Sequence, residues 1–494
     1  MTNKDYIFIA VFFIFNLILK FAFIDNMSIA MDEPFSIYIA QMDLSSIVFH
    51  LSPGNNPPLF ELILHFWIKF FGISPTAVRF LPFLFSSLTV IFVYLIGIRN
   101  FSRNIAILAA ILFTFSNYQI YFSHEARVYS LFALLTTVSM FAFLELLKNS
   151  SDKKHFILLL ITNSLLIYAH FFGFFVLIIQ ALCVLLFSGV RRKIFKTYLL
   201  VSIGVFILYL PYLKYFINRF FDSSTNGTWV QKPGWDAPYF MLWQFTNAPL
   251  TAIISIVVLL GALLLFIIKG RWTQLPDANK IIATWFIFPF FFMFFISFKV
   301  PMFMDRYVIH ASIGLYLLLA ISAVYLVNEA GKTSIAGLFP KALNFSSLAY
   351  LIALPIIFTC QPNVDNKRPV ADVVRKVQEL KDDKTAVVVC PDFFDLNFVY
   401  YYAPEFFRNY DDKTIKEKVY QSLANEHVYF INSFSQLDSN LLKTMDRVIF
   451  LDAAADYSYP DNQILDNLSK KKQLIEVVEI PEIFKVYNFN KVAN

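Results

Sequence analysis

Charged residues are scarce in this chain of 494 residues. Asp, Glu, Lys and Arg together account for 15% of the sequence, whereas soluble domains contain about 25%. Cysteine is scarce too, with three residues in all. The low charge excludes an ordinary soluble enzyme and a disordered chain, and three cysteines are too few for a disulfide framework or a zinc cluster. One Cys360–Cys390 bridge and unpaired thiols are both compatible with the sequence.

Apolar residues are correspondingly abundant. Hydrophobic residues make up 58% of the chain, and phenylalanine alone occupies 59 positions. A helix needs about 20 mostly apolar residues to cross a bilayer. Eleven stretches meet this requirement, at 6–24, 79–98, 104–122, 128–147, 155–169, 171–188, 197–217, 249–268, 281–298, 307–327 and 343–360. The sequence therefore predicts a polytopic α-helical membrane protein with about 11 transmembrane helices.

Basic residues cluster in every second loop between these spans. The loops carry Arg99 and Arg103; Lys148, Lys153 and Lys154; Arg191, Arg192, Lys193 and Lys196; Lys269, Arg271 and Lys280; and Lys332 and Lys341. Because cytoplasmic loops carry an excess of Lys and Arg, we expect these loops and the N-terminus in the cytoplasm and the C-terminus outside it. Such loops also explain the modest net charge of +6, so we predict no nucleic-acid partner.

The first apolar stretch has a second interpretation, as a signal peptide. Ser28-Ile29-Ala30 resembles a small-residue cleavage site. The apolar stretch is longer than the usual core of about 7–15 residues, however, and it contains Asn16 and Lys20. We therefore expect residues 1–30 to be retained, and either interpretation leaves the following loop on the outer side.

The loop 25–78 is the first of the segments expected on the outer side. It contains two apolar stretches, 34–50 and 59–72, which are too short to cross a bilayer. Apolar helices of this length are typical of the membrane interface. The sequence therefore predicts interfacial helices in this loop.

The tail 362–494 differs in composition from the rest of the chain. Residues 369–381 form a helical pattern with a valine-rich face, and the strand candidates are 385–390, 428–432, 447–452, 474–480 and 484–489. Helices that alternate with short strands predict a small α/β domain. We therefore expect a transmembrane domain, 1–361, and an extracytoplasmic α/β domain, 362–494.

Acidic and basic residues gather at the outer ends of the predicted spans. Apolar residues surround Asp32-Glu33, and a partly desolvated carboxylate of this kind can act as a base or a metal ligand. Two further clusters are Ser123-His124-Glu125-Ala126-Arg127-Val128-Tyr129 and Met304-Asp305-Arg306-Tyr307-Val308, and Arg79 begins a span at the same depth. Arginine binds phosphate with two parallel hydrogen bonds. We expect these groups to converge in one pocket for an anionic lipid headgroup; local ion pairs or snorkelling arginines are the structural alternative.

The seven histidines do not show a tight metal-binding spacing. A divalent metal would have to use His124 or His170 together with carboxylates from distant loops. The sequence therefore leaves the presence of a metal open.

The order of these motifs resembles the dolichyl-phosphate-mannose–protein mannosyltransferase family, which is glycosyltransferase family 39 with its bacterial relatives in the C-type membrane glycosyltransferase superfamily. The matching motifs are Asp32-Glu33, Asn56-Pro57-Pro58-Leu59, Glu125-Ala126-Arg127-Val128-Tyr129-Ser130-Leu131 and Asp305-Arg306-Tyr307. Related lipid A aminoarabinose transferases have an acid and a lysine before the Pro-Pro pair, where this chain has Asn55 and Asn56. Without that lysine, binding of a donor phosphate would depend on arginines.

The resemblance implies a glycosyltransferase of the inner (plasma) membrane that uses a polyprenyl-phosphate-linked sugar as the donor. Transfer would occur on the outer face, with inversion, to a hydroxyl of a lipid, polysaccharide or protein acceptor. The resemblance implies Asp32 as the catalytic base with Glu33 in support, and Arg127, Arg306 and Arg79 as ligands of the donor phosphate. The implied substrate-binding residues are Glu125, Tyr129, Asp305, Tyr307, Asn55, Asn56 and His124.

Two other classes of function are alternatives to a glycosyltransferase. A transporter or flippase of lipid-linked sugars should carry ionisable residues near the middle of the membrane. The predicted spans have few such residues in their interiors, and the acids and arginines gather at one face, which favours surface chemistry. A sensor or scaffold with an outer α/β domain would have no need of Asp32.

Overall fold

The computed structural model describes residues 1–22, 24–25, 27–54, 56–226, 230–270, 275–332, 353–354, 356–359, 368–405, 415–480 and 483–491. The chain forms two compact units. The helical unit contains Met1–Phe23, Val48–Phe60 and Arg79–Pro362, and the composite unit contains Ile24–Ile47, Glu61–Val78 and Asn363–Asn494. The predicted domain boundary at 361/362 lies outside the described residues. Much of the predicted outer loop 25–78 thus belongs to the same unit as the C-terminal tail.

α-Helices dominate the first two thirds of the chain. They are α1 (Asn3–Phe21), α2 (Glu33–Ala40), α3 (Leu44–Leu51), α4 (Leu59–Phe71), α5 (Pro75–Asn100), α6 (Arg103–Thr114), α7 (Asn117–Ser123), α8 (Tyr129–Lys148), α9 (Lys153–Ala169), α10 (Gly173–Leu186), α11 (Ser188–Asn226), α12 (Ala237–Thr246), α13 (Pro249–Ile268), α14 (Asp277–Ile296) and α15 (Ile309–Lys332). An apolar chain in lipid must satisfy its own backbone hydrogen bonds, which a helix does within one segment.

Six of the described helices are long and apolar enough to cross a membrane. They are Pro75–Asn100, Tyr129–Lys148, Ser188–Asp222, Pro249–Ile268, Asp277–Ile296 and Ile309–Glu329, and the pair Arg103–Thr114 and Asn117–Ser123, bent by 58°, would make a seventh. The predicted helical architecture with several apolar spans is therefore confirmed. The total of eleven stays a prediction. α1, at the predicted span 6–24, is not among these helices, α9 and α10 are 17 and 14 residues long, and most of the predicted span 343–360 lies outside the described residues.

Ion pairs connect the basic helix ends that we expect in the cytoplasm. Arg99 at the end of α5 and Lys148 at the end of α8 both pair with Glu145. Arg103 at the start of α6 lies 2.9 Å from the Asp5 carboxylate at the start of α1. These contacts join helix ends that the charges of the loops assign to the same side of the membrane. The orientation of the protein in the membrane stays a prediction.

The C-terminal domain contains a five-stranded mixed sheet. Its strands are β1 (Thr385–Cys390), β2 (Val428–Phe430), β3 (Arg447–Ala453), β4 (Gln473–Ile480) and β5 (Phe484–Asn490), in the order β2-β1-β3-β5-β4. β1 is parallel to both β2 and β3, and β5 is antiparallel to β3 and β4. All six residues of β1 are buried, as its unbroken apolar sequence predicts. The predicted small α/β domain is confirmed.

The helices of this domain begin with α16 (Val370–Leu380), which buries Val370, Val373, Val374 and Val377. They continue with α17 (Asp395–Tyr402), α18 (Ile415–Asn425), α19 (Ser439–Thr444), α20 (Ala455–Ser458) and α21 (Ile464–Lys471). The core on one side of the sheet includes Val388, Phe450 and Phe489. Both β1 and α16 lie within two residues of the predicted bounds, because their apolar periodicity is regular.

The first outer loop contains more helices than predicted. Residues 34–50 form two helices, α2 and α3, so the prediction of one helix is wrong. Asp43 causes the break, because its carboxylate accepts a hydrogen bond from the backbone N–H of Ser46 at 3.0 Å and so caps a new helix. The stretch 59–72 is helical as predicted, as α4.

Candidate active site

The acidic pair lies at the N-terminus of α2 in the composite unit. Asp32 is half-buried and precedes the helix, whereas Glu33 is its first residue and has a relative exposure of 0%. The Glu33 carboxylate accepts a hydrogen bond from the backbone N–H of Ala30 at 3.2 Å. Its Oε2 atom also lies 3.8 Å from Nη1 of Arg368. A helix N-terminus and a guanidinium both favour the ionised form of a carboxylate, so the position is suited to a buried negative charge.

A second buried carboxylate contacts the same helix. The Ser36 hydroxyl of α2 donates a hydrogen bond of 2.6 Å to Oε1 of Glu61 in α4. Nδ1 of His65 in α4 lies 2.8 Å from the carbonyl oxygen of Ala40, the last residue of α2. These buried polar contacts fix α2 against α4 and thereby fix the position of the acidic pair. The sequence did not single out Glu61, because it occurs alone in an apolar stretch.

The Glu125–Arg127 motif lies in the helical unit, in the turn between α7 and α8. The backbone N–H of Arg127 donates to the carbonyl of Glu125 at 2.6 Å, and both side chains are buried. Nε2 of His124 lies 2.7 Å from the carbonyl oxygen of Lys20 in α1, so the turn is attached to the first helix. Lys20 is itself buried and donates a hydrogen bond to the Ser86 hydroxyl at 2.7 Å.

The structure brings the motif that contains Tyr129 and the motif that contains Arg306 together. Nη1 of Arg306 lies 3.5 Å from the Tyr129 hydroxyl, and the Arg306 guanidinium lies 5.9 Å from the centre of the Tyr129 ring. The Asp305 carboxylate accepts a hydrogen bond from the backbone N–H of Arg306, and the Asp305 carbonyl accepts one of 2.5 Å from the Tyr118 hydroxyl. These contacts hold the chain around Arg306 in place, and Arg306 as a residue is half-buried.

Tyr307 opens onto a large apolar cavity. Its ring centroid lies 5.8 Å from that of His170 and 4.8 Å from that of Phe172. The cavity has a volume of about 530 Å³, and α10, α11 and α14 form its walls together with the chain before α15. Its aromatic lining comprises Phe171, Phe172, Phe174, Phe175, Phe216, Phe220, Phe292 and Tyr307. Among the described residues of the lining, Arg219 has the permanent charge and His170 and Tyr307 carry titratable groups, so the cavity suits an apolar chain with a polar end.

Three further residues of the predicted site are Arg79, Asn56 and Asn55. Arg79, in α5, is fully buried in the helical unit, and Asn56 is buried with a relative exposure of 7%. Asn55 lies outside the described residues. Asp32 and Glu33 thus lie in the composite unit, whereas Arg79, Arg127 and Arg306 lie in the helical unit.

Neither His124 nor His170 lies in a cluster of metal-ligating side chains. Within the described ranges, no group of three or more His, Cys, Asp or Glu residues could hold a metal ion. Cys183 and Cys390 are buried, and Cys360 lies outside the described residues, so the question of a Cys360–Cys390 bridge stays open. We therefore derive no chemical step through a metal.

Sequence reasoning missed the residues that line the cavity. The predicted spans leave His170 between them and include Phe171 and Phe172 in the second, whereas the structure places all three residues in the turn between α9 and α10. Aromatic residues are frequent throughout this sequence, so their density around His170 was not a distinctive signal.

Comparison with protein families supports the resemblance seen in the motifs. Residues 55–215 match the family model of the dolichyl-phosphate-mannose-protein mannosyltransferases. This range includes Asn56, Arg79, Glu125 and Arg127, but neither Asp32 nor Arg306. None of the curated proteins matches the sequence significantly.

Solved structures extend the likeness to almost the whole chain. ArnT from Cupriavidus metallidurans in the apo state is 11% identical, with 98% of each chain covered and a TM-score of 0.58. The same enzyme bound to undecaprenyl phosphate gives a TM-score of 0.56 at 11% identity, with 99% of this chain and 98% of that chain covered. The archaeal oligosaccharyltransferase AglB from Archaeoglobus fulgidus, in complex with an inhibitory peptide and a dolichol-phosphate, gives a TM-score of 0.50 at 11% identity, over 98% of this chain and 74% of that chain. The family model thus supports the resemblance to the mannosyltransferases, and the fold of this chain is similar to those of ArnT and AglB.

Proposed function

We propose that this protein is an integral-membrane glycosyltransferase that moves a sugar from a polyprenyl-phosphate donor to an acceptor hydroxyl on the outer face of the membrane. The observation that carries the proposal is the aromatic cavity, whose rim includes Tyr307, the neighbour of Arg306. A long apolar chain with one phosphate at its end matches a cavity of this composition. The match of residues 55–215 to the mannosyltransferase family supports the same class of donor.

The guanidinium groups are suited to the donor phosphate. A polyprenyl chain in the cavity would bring its phosphate next to Arg306, which is partly exposed and held by Tyr129. Arg127 and Arg79 are buried in the same unit and would add positive charge. Such groups stabilise the charge that develops on a phosphate as it leaves, which is often a large catalytic term. Glu125, Asp305, Tyr129, Tyr307, His124, Asn55 and Asn56 would orient the donor sugar, the acceptor or these arginines.

Asp32 is the proposed catalytic base. Its carboxylate would accept the proton of the acceptor hydroxyl, and the resulting oxygen would attack C1 of the donor sugar. The bond between C1 and the phosphate oxygen would break with inversion, and polyprenyl phosphate would leave. Glu33, buried and 3.8 Å from Arg368, would support the base by fixing the first turn of α2, which directly follows Asp32.

The direct test uses the purified full-length protein in lipid vesicles. Undecaprenyl phosphate carrying a radiolabelled hexose or pentose is supplied with lipid A, a serine- and threonine-containing peptide, or a cell-envelope polysaccharide. We expect the release of undecaprenyl phosphate to depend on one of these acceptors, with the label recovered on that acceptor. Passage of the intact labelled lipid from one leaflet to the other without release would contradict the proposal and identify a transporter.

A further inference from the structure

The backbone directly before Asp32 is in contact with the C-terminal domain. The backbone N–H of Ile29 donates a hydrogen bond of 2.6 Å to the hydroxyl of Tyr401, in α17. Ile29 is fully buried, so water does not compete for this hydrogen bond. Tyr401, which lies 372 positions after Ile29 in the sequence, therefore holds the loop at a point three residues before Asp32, the proposed base.

The residue immediately before Asp32 has an unusual backbone conformation. Met31 has a φ of 58°, in the left-handed region that residues other than glycine rarely adopt. Its carbonyl oxygen accepts a hydrogen bond of 3.2 Å from the side-chain amide of Asn397, also in α17. Strained conformations persist only where the surrounding structure holds them, and they concentrate at functional sites. The amide of Asn397 thus supports the turn that sets the direction of the Asp32 side chain.

Contacts from Arg368, which lies just before α16, and from Ala371 in its first turn complete this support. The backbone N–H of Ala371 donates to the Ser28 hydroxyl at 3.3 Å, and Nη1 of Arg368 lies 3.8 Å from the Glu33 carboxylate. The Arg368 side chain is only 10% exposed, and that of Glu33 is fully buried. A charge pair of this kind is strongly coupled, because removal of one partner leaves the other charge buried.

We propose that Tyr401, Asn397 and Arg368 are positioning residues through which the C-terminal domain holds the acidic loop in its reactive geometry. The proposal rests on the proposed function, since it assigns the C-terminal domain a role in the step for which Asp32 is the base. None of the three residues needs to touch the substrate. Tyr401 and Asn397 bind the backbone at 29 and 31, and Arg368 lies beside the Glu33 side chain, so together they restrict where the Asp32 carboxylate can lie.

Two of these side chains have controls of the same residue type nearby in the sequence. Tyr402 follows Tyr401 in α17, but its hydroxyl donates to Glu426 within the C-terminal domain. Arg375 lies in α16 and pairs with Asp372 of the same helix. Tyr402→Phe and Arg375→Gln therefore remove the same groups as Tyr401→Phe and Arg368→Gln without altering a contact to the acidic loop.

Hydrogen exchange tests the contact independently of activity. In the full-length protein, Tyr401→Phe should raise the exchange rate of peptides covering residues 28–33 by about tenfold, the effect of losing one hydrogen bond to a buried amide. Tyr402→Phe should leave these peptides unchanged. Equal exchange in the wild type and in Tyr401→Phe would overturn the proposal.

The catalytic consequence is measured with the undecaprenyl-phosphate sugar assay. Tyr401→Phe and Arg368→Gln should lower kcat by about 10- to 100-fold, as displacement of a catalytic group does, while the KM for the donor stays the same. Arg368→Lys, which retains the charge, should recover part of the loss, and Arg375→Gln should match the wild type. Full kcat in both Tyr401→Phe and Arg368→Gln would refute the positioning role while leaving the proposed function intact. Absence of transfer by the wild-type protein would instead refute the proposed function, and this inference with it.

Discussion

Arg306 is a positively charged residue directly next to the lining of the apolar cavity. Its guanidinium lies against Tyr129, and its neighbour Tyr307 forms part of the cavity rim. Sequence analysis identified Arg306 from its type and its place at the end of a span, which are local properties. The contact with Tyr129 could not be predicted, because the two residues are 177 positions apart.

Replacement of Arg306 should weaken donor binding. Arg306→Gln should raise the Kd for undecaprenyl phosphate by about 10- to 100-fold, since a hydrogen bond to a charged group contributes about 1.5–3 kcal/mol. Arg306→Lys should recover only part of this affinity, because an ammonium cannot bind a phosphate in the bidentate manner. Titration of the purified protein with undecaprenyl phosphate checks both values, with Arg375→Gln as the control. An unchanged Kd in Arg306→Gln would exclude this arginine from the phosphate site.

The helices and strands differ in how well their bounds can be predicted from the sequence. β1 was predicted at its observed bounds, because the run of five apolar residues from Ala386 to Cys390 leaves few alternatives for a buried strand. The stretch 34–50 was predicted as one helix, because its apolar pattern continues through the break that Asp43 introduces. The walls of the cavity come from three different helices, so periodicity within each helix could not reveal the space between them.

The cavity predicts a dependence on the length of the lipid chain. Ile178 lines the cavity from α10, and Ile178→Trp should narrow it and reduce the affinity for undecaprenyl phosphate by about tenfold. The affinity for farnesyl phosphate, whose chain is much shorter, should change far less. Leu185, exposed on the same helix and outside the cavity lining, provides the control Leu185→Trp. Equal losses for both lipids would show that the cavity does not hold the polyprenyl chain.

The sheet of the C-terminal domain predicts a pH dependence of stability. Burial raises the pKa of the Asp452 carboxyl in β3, and the nearby Asp456 contributes in the same direction. The folded state therefore binds the proton more tightly than the unfolded state, and stability falls as the pH rises from the ordinary carboxyl pKa through the raised one. Asp452→Asn keeps an oxygen for the hydrogen bond from the Ala455 N–H and should slow hydrogen exchange of β3 at neutral pH. The exposed Asp461→Asn serves as the control, and faster exchange in Asp452→Asn would contradict this account.

For the molecule as a whole, the sequence predicted the class of architecture better than its internal contacts. Helical spans and an α/β tail follow from composition and periodicity, which are properties of single segments. The association of residues 24–47 and 61–78 with the tail in one compact unit depends on contacts between segments more than 280 positions apart, such as the hydrogen bond from Ile29 to Tyr401. No pattern within either segment indicates its partner.

The topology follows from the loop charges and can be tested in intact cells. In a chain without its native cysteines, Ser435→Cys in the C-terminal domain should react with a membrane-impermeant maleimide added from outside. Lys153→Cys, at the start of α9, should react only after the cells are permeabilised. The opposite pattern would show that the protein is inserted in the reverse orientation, with Asp32 on the cytoplasmic side.

The measurement that tests the central claim most directly is made on Asp32→Asn in the vesicle assay. Loss of a general base lowers turnover by about 10²- to 10⁴-fold. We therefore predict a loss of this size in sugar transfer, with an unchanged Kd for undecaprenyl phosphate, since Asp32 is not one of the proposed phosphate ligands. Full turnover by a folded Asp32→Asn protein would contradict the account, because the acceptor hydroxyl would then lose its proton to another group.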